Sequence, residues 1–577
     1  MLSESIVEKI NHARNTNEGN GEATYIPYQN IGELLYRQGR YYDTKPYLIF
    51  YDLEGSRIEY GYKDFFMLAQ QCANLMYAEG VRNGDRVATI SHNHADTVIH
   101  YYAAWLLGAC VVPVSLSEDD HRIAYVLENS RAKLAFLRCD YQDRLLPIIA
   151  NVSTIERTII CGDCEHVPGR KYFDEALEAA EPFFTSEEAV TLENEALIVY
   201  TSGTTGNPKG VVLTQRNLLA DAKGISEWHG MTNAQRMMCV LPIHHVNGTI
   251  VTLVTPMYFG GSVVLNQKFQ SEHFFDRVEK EQVHVVSVVP TLLAFLIEFY
   301  KSTTPSPLTP LPRIVDDAAG RGGQIRHIIC GAGPLTVELG QQFEEMFGIP
   351  IMHGYGLSET TCYSCFLPID LTPEDHSHRM RDFGYPSIGV AIPQNEMMIA
   401  DEIGHELAPS EKGEIAIRGA NVMKYYYEND EANEKTFSYG WFRSGDEGFY
   451  EVDLTGRKFF FITGRLKELI IRGGVNISPL EIDEVIARCP NVKAGIAVGF
   501  ENNFYGEEVG AYVQVIDGAS TSEEEILSFC RTHLPFAKAP KVVIFGNDIP
   551  VTSTGKYQRN KCKPLFAEWK GVQFRKS

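Results

Sequence analysis

The chain has 577 residues, more than one hydrophobic core organises, so at least two domains are expected. Hydrophobic residues make up 44% and charged residues 22%, a globular balance that argues against a disordered chain. The net charge of −22 disfavours nucleic acid and anionic lipid surfaces as partners, since both repel an acidic chain.

The start, Met1 to Ser5, lacks the basic residues and apolar run of an export signal. The longest apolar stretch, about 103–114, contains Gly108 and Pro113 and falls short of the ~20 residues of a membrane span. The twelve cysteines are scattered, and the pairs Cys161/Cys164 and Cys362/Cys365 lack the flanking pattern of a zinc site. A reduced cytoplasmic protein with no transmembrane segment is expected.

In chain order, 85–90 reads as a strand after Asn83-Gly84, and 95–107 as a helix stopped by Gly108. A strand at 109–114, a helix at 122–129 and a strand at 132–137 come next. This alternation predicts an α/β fold of doubly covered, largely parallel sheets. Residues 196–199, 211–213, 283–288 and 324–330 repeat the strand signal, and 303–312 is a Pro/Thr/Ser-rich loop. From about Ile388 shorter β elements appear, at 414–418 and 458–462, which predicts a β-rich subdomain. The tail after Gly464-Arg465 carries a helix at 478–488 and a strand at 494–498, a small α+β unit.

The most informative segment is the loop Tyr200-Thr201-Ser202-Gly203-Thr204-Thr205-Gly206-Asn207-Pro208-Lys209-Gly210. Glycines let the backbone offer N–H groups closely to an anion, hydroxyls add neutral donors, and Lys209 adds a point charge. That inventory suits a polyphosphate. It is not the GxxxxGK[ST] loop, because no such spacing is present and 211–213 reads as strand rather than helix. An ordinary Ser/Gly hairpin is the competing reading, disfavoured by the fixed order of residue types.

This loop resembles the signature of the adenylate-forming superfamily, the acyl-CoA synthetases, luciferase-like enzymes and adenylation domains. Further blocks in that family's order run from about Asn30 to Lys563. The stretch 241–248 resembles the acyl-pocket motif, with His245 at the aromatic position beside the carboxylate. No acidic residue stands in this block to hold an α-amino group, which disfavours an amino-acid substrate. Gly331-Ala332-Gly333 resembles the glycine-rich loop beside adenine and acyl group. In His353-Gly354-Tyr355-Gly356-Leu357-Ser358-Glu359, the resemblance places Tyr355 against adenine, Ser358 near the α-phosphate, and Glu359, with Thr205, on Mg²⁺. Asp446 and Arg465 match the ribose and ribose/phosphate positions, and Lys467 the hinge. Gly473 and Gly474 match the strand lining the thiol tunnel, where Ile471 replaces a lysine found in some relatives. Lys556 in the Pro-x-Thr-x-x-Gly-Lys frame matches the catalytic lysine.

The resemblance implies a large domain over 1–466 and a small, mobile domain over 467–577 that carries Lys556. It also implies a reaction: ATP and a small-molecule carboxylic acid give an acyl-adenylate, which passes its acyl group to CoA. The expected substrate is a medium- or long-chain fatty acid, because Gly331, Gly333 and Gly354 leave room beside the carboxylate. An aryl acid, a carrier protein as the acceptor, and a non-catalytic nucleotide-binding relative are the alternatives. Nothing in the sequence bears on oligomeric state.

Overall fold

The computed structural model describes residues 2–15, 21–186, 188–201, 207–303, 325–551 and 557–575. Two large sheets form the frame of the N-terminal domain. One has eight strands, of which Arg86–Ile90, Cys110–Val114, Leu134–Arg138 and Arg157–Cys161 run parallel at its centre. The other has nine, with Arg236–Cys239, Val285–Val288, His327–Cys330 and Ile351–Tyr355 parallel. Every residue of Cys110–Val114, Leu134–Arg138 and His327–Cys330 is buried. This is why these strands read as continuous apolar runs: helices cover both faces.

The helix Ala95–Leu107 ends where the sequence places its stop, with Gly108 at φ 80° in the left-handed region. The next helix begins at Asp120 rather than 122, because the Asp119 side chain accepts from the Arg122 amide and starts the helix earlier. The strand expected over 324–330 is His327–Cys330 in the described residues, and of the loop 303–312 only Thr303, closing the helix Pro290–Thr303, is among them.

The β-rich texture past Ile388 is a four-stranded antiparallel sheet: Asn395–Ala400, Gly413–Gly419, Phe442–Val452 and Lys458–Arg465. Pairing then changes sheet. Ile470–Arg472 belongs to a separate five-stranded sheet, built round the long pair Val492–Asn502 and Gly506–Val515. This small C-terminal domain has its own apolar core, including Ile482, Ile486, Val509 and Ile526. A buried ion pair ties its helix Pro479–Ala487 to its last turns: Arg559 Nη1 lies 3.0 Å from Asp483 Oδ1. The domain rests on the large one through Glu484, whose carboxylate oxygens accept from the Val337 amide at 3.2 and 3.3 Å. Val337 opens the helix Val337–Phe347, so Glu484 accepts from an otherwise unpartnered first-turn amide, while burial pushes its carboxyl up to about 8.

Among the described residues, no helix is long and apolar enough to cross a membrane.

Candidate active site

The carboxyl edge of a parallel sheet is where loops gather side chains for ligands. Two of the singled-out blocks leave neighbouring parallel strands at that edge. Gly331 follows Cys330, the end of one strand, and Tyr355 ends the next. The phosphate loop enters from the other large sheet. Glu195–Thr201 and Lys209–Thr214 pair antiparallel, with Thr201 opposite Lys209 at the base of the loop. Ser202, Gly203, Thr204, Thr205 and Gly206 lie outside the described residues, as does Lys556. The bases of both segments are defined: Val551 and Tyr557 bridge each other around the second.

Helix Gln215–Trp228 anchors the chain beyond the phosphate loop. Thr214 and Asn217 cap it reciprocally, and such a cap contributes about 1 kcal/mol. The buried Asn217 amide also donates to Ala420 O (2.8 Å) and Val422 O (2.9 Å). It thereby fixes the segment that carries Tyr425–Tyr426 against the strand of Lys209.

One side of the site is a polar cluster of two buried residues and a partly exposed arginine. Tyr355 Oη donates to Asp446 Oδ2 at 2.6 Å, and Arg465 Nε stands 3.4 Å from Asp446 Oδ1. Asp446 and Arg465 are cross-strand partners, so the sheet itself sets their spacing. Asp446 holds Arg465 firmly cationic, and burial followed by Asp446 pushes the Tyr355 phenol up. The structure thus brings Tyr355, Asp446 and Arg465 together.

The other side is cationic and less paired. Glu359 Oε1 accepts from Tyr426 Oη at 2.7 Å, and Lys209 Nζ lies 4.8 Å from the centroid of the Tyr426 ring. Burial lowers the affinity of the Lys209 ammonium for its proton, and the nearby Lys467 cation adds to this, while Glu359 opposes it. Tyr426 was not legible as a site residue: it is the middle of three consecutive tyrosines, a pattern that reads as core. Ser358 begins the short 3₁₀ turn Ser358–Thr360 that carries Glu359.

The His245 ring lies tilted by 55° against His244, with centroids 4.3 Å apart, and both line a crevice with Tyr200 and Pro208 at the ends of the loop. Burial pushes the His244 imidazole down to about 4, so it is neutral at physiological pH. Ala332 adopts φ 63°, a turn that aims the backbone between the two flanking glycines.

The glycines require a correction. The space that a side chain on Gly331 would take is filled by Tyr363 Oη (2.6 Å) and Gly354 O (2.7 Å). At Gly354 it is filled by the Phe366 ring (2.3 Å), and at Gly356 by Cys362 O (1.9 Å). At these glycines protein atoms take the place of a side chain. Of this set, only Gly333 keeps ordinary clearance, 3.5 Å from Pro290. Gly473 and Gly474 form an exposed turn with positive φ whose neighbour is Tyr505 of the same small domain.

Residues 35–427 match the family of AMP-binding enzymes, and residues 481–556 match the AMP-binding enzyme C-terminal domain. The chain is 30% identical over 506 residues to an oxalate–CoA ligase of Arabidopsis thaliana, covering 87% of this chain and 92% of that one. It is 29% identical over 500 residues to a 2-succinylbenzoate–CoA ligase of Bacillus licheniformis, covering 86% and 93%. The crystal structure of ATP-bound MatB from Rhodopseudomonas palustris superposes with a TM-score of 0.78 at 27% identity, over 93% of this chain and 99% of that one. The o-succinylbenzoate CoA synthetase of Bacillus subtilis, with its acyl-adenylate intermediate, gives 0.77 at 27% identity, over 93% and 98%. The chain belongs to the AMP-binding enzyme family, as an acid–thiol ligase that uses ATP, Mg²⁺ and CoA.

Proposed function

We propose that the protein activates a compact carboxylic acid, aliphatic or aryl, as its acyl-adenylate and then transfers the acyl group to CoA. The observation that carries this reading is the adjacency of two sets of groups. The buried Tyr355–Asp446 pair, with Arg465 at its surface, is fitted to a nucleoside, and Lys209 and Glu359 are fitted to its phosphates.

In the first half-reaction a carboxylate oxygen attacks the α-phosphorus, the new C–O–P bond forms, and the bond to pyrophosphate breaks. Little proton transfer is needed, so positioning and charge neutralisation do the catalysis. Asp446 accepts from the ribose hydroxyls, Arg465 holds Asp446 and faces ribose or phosphate, and the Tyr355 ring offers its face to adenine. Lys209, with Thr201, Ser202, Thr204 and Thr205, holds the departing pyrophosphate, and Lys556 bridges carboxylate and α-phosphate. Glu359 is a hard oxygen donor, held by Tyr426, that fits Mg²⁺. Mg²⁺ supplies charge neutralisation on the phosphates when bound, with Thr205 as the second protein ligand.

In the second half-reaction the CoA thiolate attacks the adenylate carbonyl, the C–S bond forms and AMP leaves with the bridging oxygen. A rotation about Lys467, at the boundary between 1–466 and 467–577, withdraws Lys556 and brings Gly473 and Gly474 to the thiol path. The exposure of that turn supports this reading, since the space beside its glycines is open apart from Tyr505.

A compact acid is preferred over a long-chain fatty acid for two reasons. The space beside Gly331 and Gly354 is occupied by aromatic rings, and relatives of similar length act on oxalate, sulfoacetate and 2-succinylbenzoate. The test is a panel of short dicarboxylic, aryl and saturated fatty acids with ATP, Mg²⁺ and CoA, read by mass as acyl-CoA. Turnover confined to long saturated acids would overturn the compact-acid preference. Formation of acyl-AMP without acyl-CoA would instead point to a carrier-protein acceptor.

A further inference from the structure

We infer that Glu484 is a positioning residue for the first half-reaction: its side chain latches the small domain onto the large one in the seating seen here, and the contact is broken in the second. This rests on the domain rotation proposed above. The docking point is carried by an element of the site. Helix Val337–Phe347 follows the strand His327–Cys330 and the turn Gly331-Ala332-Gly333. Its Thr336 cap accepts from the Leu339 amide at 3.2 Å, which leaves the Val337 amide to an outside acceptor. Glu484 supplies that acceptor from helix Pro479–Ala487 of the small domain, with its two oxygens at 3.2 and 3.3 Å.

The same helix also grips its own domain. Asp483, next to Glu484, accepts from the Ala497 amide at 2.6 Å and from Arg559 Nη1 at 3.0 Å. Arg559 in turn stands 3.6 Å from Glu468, the residue after the Lys467 boundary. Asp483 and Arg559 are both buried, so this inner tie is shielded from water. Adjacent side chains of one helix therefore join the large domain to the segment just past Lys556. A second tie across the boundary, Lys493 to Glu298 at 3.3 Å, joins side chains 36% and 61% exposed, where such a pair contributes little. Glu484 is thus the contact whose loss the seating feels.

A contact present in one seating only shifts the ratio of the two half-reaction efficiencies by one factor when it is removed, whatever the resting balance. If the resting enzyme holds the contact, the second step gains; if it does not, the first step loses. The first step is read as exchange of labelled pyrophosphate into ATP with the acid that the panel above selects. The second is read as acyl-CoA formed from the supplied adenylate of that acid. Glu484→Ala and Val337→Pro reach the contact from opposite domains. Proline fits the first position of a helix after an extended residue, and Thr336 has φ −82° and ψ 151°. In each variant the first-to-second ratio of kcat/KM is expected to fall roughly three- to tenfold, the range for one hydrogen bond, with no further fall in the double variant. Glu484→Gln keeps an oxygen acceptor and is expected to stay within about twofold of the wild type. Each variant is checked for a cooperative thermal transition, and either of the first two, folded, carries the test. An unchanged ratio in a folded variant, or a Glu484→Gln enzyme as impaired as Glu484→Ala, overturns the inference. Loss of the folded state in both Glu484→Ala and Val337→Pro would make the contact structural and overturn it too. Failure of the ligase reading is distinct: the wild type would then exchange no pyrophosphate with any acid of the panel.

Discussion

The two halves of the nucleotide site are built on opposite principles. On the ribose side, Tyr355, Asp446 and Arg465 satisfy one another in the ligand-free protein, with Asp446 5% exposed and locked to Arg465 by strand register. On the phosphate side, burial and the Lys467 cation both weigh against the Lys209 ammonium, and Glu359 with the Tyr426 ring offsets only part of that cost. In the proposed reading the first half orients a nucleoside, and the second meets its phosphates with a lysine whose ammonium form burial disfavours.

The division can be broken most visibly on the phosphate side, where the largest effect is expected. Lys556→Ala should lower adenylation by about a hundred- to a thousandfold, the range for removing one preorganised charge donor. It should spare thioester formation from a supplied acyl-adenylate. Equal losses in both half-reactions would place Lys556 outside the first transition state.

A smaller effect is expected where the two halves meet. Tyr426→Phe removes the hydroxyl that holds Glu359 while keeping the ring beneath Lys209. A hydrogen bond to a charged group contributes about 1.5–3 kcal/mol, so kcat/KM should fall roughly tenfold or more and the Mg²⁺ concentration for half-maximal rate should rise. An unchanged Mg²⁺ dependence would show that Tyr426 does not position Glu359.

The smallest effect concerns pH. Burial pushes the Asp221 carboxyl from 3.8 up to about 8, where it meets the Asn421 side-chain amide and the Tyr363 backbone amide. The folded state thus binds the proton that the unfolded chain releases. Stability from this group is fully present below about pH 4, declines as pH rises, and is lost by about pH 8. Asp221→Asn keeps the acceptor toward Asn421 and cannot ionise. Its melting temperature should fall less than that of the wild type between pH 5 and pH 9; parallel curves would refute a protonated Asp221.

Much of this was legible in the sequence where one residue has one physical meaning. Gly108 stops its helix, and the glycines between Thr201 and Lys209 mark the joint of two strands. Legibility failed where meaning depends on the neighbour. Gly331 and Gly354 announce that a side chain does not fit, but not whether ligand or protein takes the space, and here Tyr363 and Phe366 take it. Asp221 sits among apolar helix positions, with partners about 140 and 200 residues away in the chain, a pairing no local pattern encodes. Tyr426 was hidden for the same reason, since its partner Glu359 lies 67 residues before it.

The central claim is that a carboxylate oxygen bonds to the α-phosphorus before the thiol arrives. It is tested most directly by supplying the preferred acid with both carboxylate oxygens as ¹⁸O and weighing the products after complete ligation to CoA. The account predicts one heavy oxygen in AMP, one in the thioester carbonyl and none in pyrophosphate. Label in released phosphate or pyrophosphate, or AMP free of label, would contradict it.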